Sequence, residues 1–143
     1  LPPGRGDGRN PSLVYGLDQE AILAPGKGNM GAIWAVSAET GETLWNIEQR
    51  AGAMAMVATG GGLIFGGDAA GRFRAYDELT GEVLFEAELG TPISGYPVSF
   101  AANGKQYVAV TTSMSGIANN TRRFHPEVMP PNQESKVFVF ALP

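Results

Sequence analysis

Few side chains in this sequence are of the types that catalyse reactions or hold metals. His125 is the only histidine, and Pro126 and Glu127 follow it in a polar stretch. One histidine with no second ligand at metal-site spacing does not make a metal centre. Two interpretations of His125 stay open: a residue that contacts a substrate, or a solvated or hydrogen-bonded structural residue.

Nucleophile and phosphate-binding motifs are absent from the sequence. Lys27 lies between glycines, but its spacing is not that of a phosphate-binding P-loop and no helical pattern follows it. Ser94, Ser113 and Ser115 have no nucleophile-elbow context. Asp68 begins an Asp-Ala-Ala-Gly turn and is expected to cap that turn. The sequence therefore identifies no catalytic residue and no metal ligand in this segment.

Charge and composition exclude further classes of function. The 143 residues include 10 Lys and Arg and 14 Asp and Glu. The resulting net charge of -4 has the wrong sign for binding a nucleic-acid backbone. The pair Arg122 and Arg123 indicates a solvated face. No apolar stretch approaches the roughly 20 residues of a membrane span, and no signal-peptide pattern is present. The chain begins with Leu1, so we expect an upstream segment to precede it.

A repeat supplies the secondary structure that must position any site. Ile33 to Trp45 reads IWAVSAETGETLW, and about 40 positions later Phe73 to Phe85 reads FRAYDELTGEVLF. Each copy predicts a strand, a turn at Thr-Gly in which glycine can adopt positive φ, and a second strand ending on an aromatic residue. A period of this length with four strand-like runs is typical of β-propeller blades.

Counting strands predicts one complete blade between two incomplete ones. The fold class is therefore all-β: a β-propeller segment of about two and a half four-stranded antiparallel blades. Open blade faces would expose apolar side chains and strand edges, so other blades of the full protein are expected to complete it. The predicted organisation is an arm or loop at 1–11, a partial blade at 12–48 beginning with a strand at 12–17, a complete blade at 53–89, and a last, partial blade at 95–143 with a polar excursion at 113–135.

The two copies resemble the tryptophan-docking motif of the quinoprotein dehydrogenases, Ala-x-Asp-x-x-Thr-Gly-x-x-x-Trp. In that family the tryptophan packs between neighbouring blades of an eight-bladed propeller. Ser37 replaces the aspartate of the first copy, and Phe85 the tryptophan of the second. The runs GYPVSFAANGKQYVAV and VFVFALP are similar to the last blades of alcohol dehydrogenases that use pyrroloquinoline quinone (PQQ). The residues that match the motif are Ala35, Thr40, Gly41 and Trp45, then Ala75, Asp77, Thr80, Gly81 and Phe85.

The resemblance implies the C-terminal part of a periplasmic, PQQ-dependent alcohol dehydrogenase, which oxidises alcohols to aldehydes or ketones by hydride transfer to PQQ. A calcium or lanthanide ion beside the quinone is implied as a Lewis acid. The implied partners are the remaining blades, in a larger chain or companion fragment, an alcohol, and an electron acceptor such as a cytochrome c. The family's catalytic residues and metal ligands match no position here and are expected outside this segment. The alternative is a non-catalytic propeller of the same repeat family that serves as a protein-binding scaffold.

Four positions are predicted to lie near the funnel of such an enzyme. If loops between successive blades face the cofactor, Ala53 and Met54 lie at that end and touch PQQ. The family often has a tryptophan or asparagine at the position of Ala53, so the expected contact comes from backbone or from Met54. Met54 also fits a core-strand interpretation. His125 and Arg123, in the long polar excursion, are predicted at the rim of the substrate funnel.

Overall fold

The computed structural model describes residues 22–141, in which most of the regular structure is β. Three antiparallel sheets follow one another along the chain, with two, four and three strands. This confirms the predicted all-β class. The predicted arm at 1–11, the strand at 12–17 and the last two residues lie outside the described residues, so the predicted blade boundaries stay a prediction. The elements are β1 (Gly31–Val36), β2 (Thr43–Gln49), β3 (Ala53–Ala58), β4 (Leu63–Asp68), β5 (Arg72–Asp77), β6 (Val83–Glu88), β7 (Val98–Ala102), β8 (Lys105–Thr112), α1 (Gly116–Phe124), a 3-10 helix (Pro126–Val128) and β9 (Lys136–Ala141).

The central sheet has the strand order β3-β4-β5-β6, a meander in which each strand pairs with its neighbour in sequence. Glycines in the left-handed region close its turns, with φ of 78° at Gly62, 83° at Gly71 and 74° at Gly81. A side chain at Gly71 would also come within 2.8 Å of the Thr91 carbonyl oxygen. Glycine is therefore required there for both conformation and space.

The third sheet begins later than the sequence pattern predicts, at Val98 rather than Gly95. The amides of Ser94 and Gly95 both donate to the Thr111 carbonyl, at 3.1 and 3.3 Å. Pro97 has no backbone N–H and so cannot donate a hydrogen bond to a neighbouring strand. The chain therefore crosses the end of β8 before it turns to pair with it. The β7–β8 turn places Asn103 and Gly104 at φ of 51° and 75°, the hairpin geometry that Asn-Gly predicts.

The polar excursion contains a helix that the sequence pattern did not predict. Ser115 is the N-cap of α1, since its Oγ accepts from the Ala118 amide at 3.2 Å. The buried residues of α1, Ala118 and Thr121, lie three apart on one face. No helix within residues 22–141 is long and apolar enough to cross a membrane.

The main core lies between the second and third sheets. Phe73 is fully buried and stacks between Phe65 and Phe140, at ring-centroid distances of 6.2 and 5.2 Å. Ile93 and Val108 complete its centre, and both are also fully buried. Burial of several large apolar side chains stabilises this contact between the two sheets.

The two outward faces of the segment are apolar. On the first sheet, Trp34 and Leu44 are each 57% exposed. On the third sheet, Val98, Phe100 and Val137 form a second such face. Contiguous exposed patches of this kind mark contact surfaces, and a propeller segment needs further blades to cover them.

Candidate functional site

The two copies of the repeat fold into the same turn. Thr40 N–H donates to Ser37 Oγ at 3.2 Å, and Thr80 N–H donates to Asp77 Oδ1 at 2.8 Å. The serine of the first copy thus performs the aspartate's role. The Thr80 amide and hydroxyl hold the pKa of Asp77 below its usual range, because both bonds favour the ionised carboxylate.

Trp45 joins the first sheet to the turn of the second. Its indole N–H donates to the Glu78 carbonyl at 2.9 Å. A Cβ added at Gly81 would lie 2.7 and 2.8 Å from Trp45 Cδ2 and Cε3, so the ring rests directly on this glycine. Gly81 also has a φ of 74°. The Thr-Gly pair therefore supplies both the turn and the surface on which the aromatic residue packs.

The second copy repeats the pairing with a different aromatic contact. Ala75 pairs with Phe85 across the ladder as Ala35 pairs with Trp45, and in each copy the register shifts one residue later. The Phe85 ring packs edge-to-face on Phe140 of the third sheet, at 5.8 Å. Phenylalanine has no N–H, so this contact lacks the hydrogen bond of the first copy.

Gly41 is the counterpart of Gly81 at the outward face of the first sheet. Its φ is also 74°, but no atom of the described chain lies within 4 Å of a Cβ built there. The turn therefore has the same shape as the one on which Trp45 packs, but no aromatic ring from residues 22–141 packs on it.

Three segments meet at one end of the sheets: the β2–β3 turn, the β4–β5 turn and the excursion. Gly52 N–H donates to Thr121 Oγ1 at 3.1 Å, and Ala69 N–H donates to the Gly52 carbonyl at 3.0 Å. Ala51, Ala69 and Ala118 are fully buried against one another. Sequence reasoning missed Thr121, although the small residues around Gly52 were a sign of close backbone approach.

An ion pair reinforces the same junction at its surface. Arg50 donates from Nε and Nη2 to Glu127 Oε1, at 2.8 and 2.5 Å. The pKa of Glu127 is held below its usual range by its own backbone N–H and then by Arg50. Both side chains are about half exposed, so the pair contributes more to orientation than to stability.

His125 is buried rather than solvated. It is the C-cap of α1, the residue is 4% exposed, and neither ring nitrogen has a hydrogen-bond partner among residues 22–141. Nδ1 lies 3.4 Å from the Glu127 carboxylate. The structure thus brings His125 beside the ion pair of Glu127 with Arg50, and Arg50 lies three residues before Ala53.

The other predicted site residues are spread over the same end. Ala53 begins β3 and is half-buried. Met54 packs against the main core, as the core-strand interpretation of this residue expects. Arg123 is exposed on α1, with its guanidinium 5.4 Å from the ring of Phe124.

Asp68 caps its own turn, as its sequence context predicts. Oδ1 accepts from the amides of Ala70 and Arg72, at 2.9 and 3.1 Å, and Oδ2 accepts from Arg72 Nε at 2.8 Å. Arg74 Nη1 lies 3.8 Å away. This 1% exposed carboxylate is thus fully partnered, which is the condition for burying a charge.

The described residues do not fit a metal ion. Within residues 22–141, no group of three or more His, Cys, Asp or Glu side chains is placed to hold one. A quinone cofactor with carboxylates needs cationic or N–H donors around its edge, and the side chains of Ala53 and Met54 supply none.

Comparison with known proteins agrees with the repeat. Residues 48–108 match the family model described as "PQQ: Glucose/ethanol/alcohol dehydrogenase, beta-propeller domain". The dehydrogenase subunit of the quinone alcohol dehydrogenase of Acetobacter aceti is 40% identical over 77 residues, 53% of this chain and 10% of the relative. The lanthanide-dependent methanol dehydrogenase of Methylacidiphilum fumariolicum is 39% identical over 88 residues, 60% of this chain and 14% of the relative.

A solved structure supports the same assignment beyond the matched residues. The europium-containing methanol dehydrogenase superposes with a TM-score of 0.71 and 28% identity, over 82% of this chain and 24% of that one. The chain thus spans a small part of the relatives it matches. Its sheets are those of a partial β-propeller, residues 48–108 match a PQQ β-propeller domain, and the relatives that the chain resembles are quinoprotein alcohol dehydrogenases.

Proposed function

We propose that this chain is the C-terminal part of a periplasmic alcohol dehydrogenase that passes hydride from an alcohol carbon to PQQ. The observation that carries the proposal is the family match across 48–108, which runs from the end of β2 through the whole central sheet into β8. It includes the Gly81 turn on which Trp45 packs. The match therefore includes the glycine turn that receives Trp45, while Trp45 itself lies just before the matched range.

The catalytic residues and metal ligands are proposed to lie in other blades. Support comes from the donor set, since residues 22–141 hold no cluster of metal-ligating side chains. Bound PQQ would supply the quinone that accepts hydride, with a calcium or lanthanide ion as Lewis acid. One matched relative is named as lanthanide-dependent and one matched structure as europium-containing, which favours a lanthanide over calcium.

The described chain is proposed to contribute part of the funnel wall, at the end of the sheets where the β2–β3 turn and the excursion meet. Ala53 and Met54 are proposed to line the cofactor funnel, and His125 and Arg123 to lie at its rim. The bonds of Gly52 and Arg50 to the excursion support this placement, because they join the two predicted groups into one surface. A cytochrome c or similar carrier is proposed to take the electrons.

The test uses the complete protein that contains this chain. We expect an absorbance spectrum of a bound quinone in the isolated protein, and dye-linked oxidation of primary alcohols after addition of PQQ with calcium or a lanthanide. A correctly folded protein that shows neither a quinone spectrum nor activity with either ion would refute the proposed dehydrogenase activity.

A second candidate, a protein-binding scaffold of the same fold, is favoured by one observation. Ala53 has no hydrogen-bonding side chain where the resemblance leads us to expect a polar or aromatic one. The scaffold predicts a folded protein without quinone that binds another protein, so the same experiment separates the two functions.

A further inference from the structure

The excursion at residues 113–135, called the strap below, is bound at its base to the segment that leads into the third sheet. Ser113 N–H donates to the Pro92 carbonyl at 3.0 Å, and Asn132 N–H donates to the Gly90 carbonyl at 3.1 Å. The hydroxyls of Thr91 and Thr112 both donate to the Glu134 carbonyl, at 2.9 and 3.0 Å. Both ends of the strap are thus fixed by hydrogen bonds to one short stretch of chain.

The middle of the strap contacts a different part of the fold, the β2–β3 turn. Thr121 is fully buried and its Oγ1 accepts from Gly52 N–H at 3.1 Å while donating to the Ile117 carbonyl at 2.9 Å. A side chain at Gly52 would collide with Ile117, so helix and turn backbone approach as closely as glycine permits. The strap therefore crosses the end of the central sheet and joins the first sheet to the third.

The turn, residues 50–52, is restrained by packing and by polar bonds. Ala51 is fully buried against Ala69 and Ala118. Among residues 22–141, its polar bonds to other segments are that of Ala69 N–H to the Gly52 carbonyl and two to the strap, the Gly52 to Thr121 bond and the Arg50 to Glu127 ion pair. The turn leads directly into Ala53, the first residue of β3. A restraint on this turn therefore also restrains the position of the first residue of β3.

We propose that the strap is a clamp that positions the β2–β3 turn, with Thr121 and Glu127 as its positioning residues. The clamp is a property of this chain alone. Its consequence for catalysis rests on the proposed function, since in the dehydrogenase the turn leads to the residues that line the funnel. The strap then influences the shape of the funnel through the position of this turn.

The first experiment measures amide hydrogen exchange in the complete protein. Thr121→Val removes the acceptor of the Gly52 amide while keeping shape, and we expect exchange at 50–53 to accelerate about tenfold or more. Thr121→Ser keeps the hydroxyl and should stay within about twofold of wild type. Thr59→Val is the matched control, because the Thr59 hydroxyl donates to the Leu63 carbonyl at the opposite end of the same sheet.

Glu127→Gln keeps the proposal testable if the valine variant does not fold. It changes an exposed ion pair, and we expect exchange at 50–53 to rise about threefold at low salt and less at high salt. Unchanged exchange at 50–53 in the folded Thr121 and Glu127 variants would overturn the clamp. So would an equal acceleration in Thr59→Val.

A second measurement separates the clamp from the proposed function. If the wild-type protein oxidises alcohols, Thr121→Val should raise KM about threefold or more with kcat retained, and Thr121→Ser should restore KM. Unchanged KM with accelerated exchange would overturn the catalytic consequence. A wild-type protein without activity would refute the dehydrogenase, and the exchange data alone would then decide the clamp.

Discussion

The contact of Trp45 with Gly81 provides the sharpest test of how the sheets associate. In Gly81→Ala, the new Cβ would lie 2.7 Å from the indole ring, whereas carbon atoms prefer about 3.5–4.0 Å. The ring must retreat by about 0.8 Å or more, which breaks its 2.9 Å bond to the Glu78 carbonyl. Alanine at a φ of 74° adds about 1–2 kcal/mol of backbone strain. The lost hydrogen bond and the backbone strain together should lower the free energy of unfolding by about 2–4 kcal/mol.

The strain and the lost contact can be separated with a double-mutant cycle. In a Trp45→Ala background no ring blocks the new methyl group, so Gly81→Ala should cost the backbone strain alone. We expect a coupling of about 1–2 kcal/mol between the two sites, measured as shifts in the urea midpoint of the complete protein at unchanged m. Strictly additive effects would show that the ring does not rest on this glycine.

Three further outcomes follow from the same contacts. Phe73→Ala should cost about 3–5 kcal/mol in urea unfolding because the ring is fully buried, and a cost below about 1 kcal/mol would contradict the position of the core. The pKa of Asp77 is lowered on folding, so its contribution is present above the unfolded pKa and is lost as pH falls through the folded one. The stability difference between wild type and Asp77→Ser should therefore shrink below about pH 3.8, with Ser37→Asp gaining the same dependence. His125→Leu should be neutral or stabilising by about 1 kcal/mol in thermal unfolding, and clear destabilisation would indicate that the ring is partnered, either by the Glu127 carboxylate 3.4 Å from Nδ1 or by a group outside residues 22–141.

The strands could be predicted from sequence because local signals determine them. The Thr-Gly turns need glycine at positive φ, and Asn103-Gly104 has the preferred hairpin chemistry, so these boundaries follow from the residues themselves. The docking of Trp45 followed from the repeat together with the family resemblance. For the turns, the necessary information lies within a few neighbouring residues, whereas the contact of Trp45 joins the two copies of the repeat.

The strap could not be predicted in the same way. Its helix has a short apolar face and two arginines, and the bond from Gly52 to Thr121 joins residues distant in sequence. The burial of His125 depends on the same packing. Long-range contacts between irregular segments leave no periodic pattern, so the sequence predicts candidate site residues but not the contacts that hold them in place.

The outward face of the first sheet should be covered by another blade of the same protein. Gly41 has the φ of Gly81 but meets no atom of the described chain, so the comparison of Gly41→Ala with Gly81→Ala in the complete protein tests this coverage directly. If a preceding blade places an aromatic ring on this turn, the two substitutions should lower stability equally, by about 2–4 kcal/mol. A loss at Gly41 limited to the strain of about 1–2 kcal/mol, with the full loss at Gly81, would contradict it.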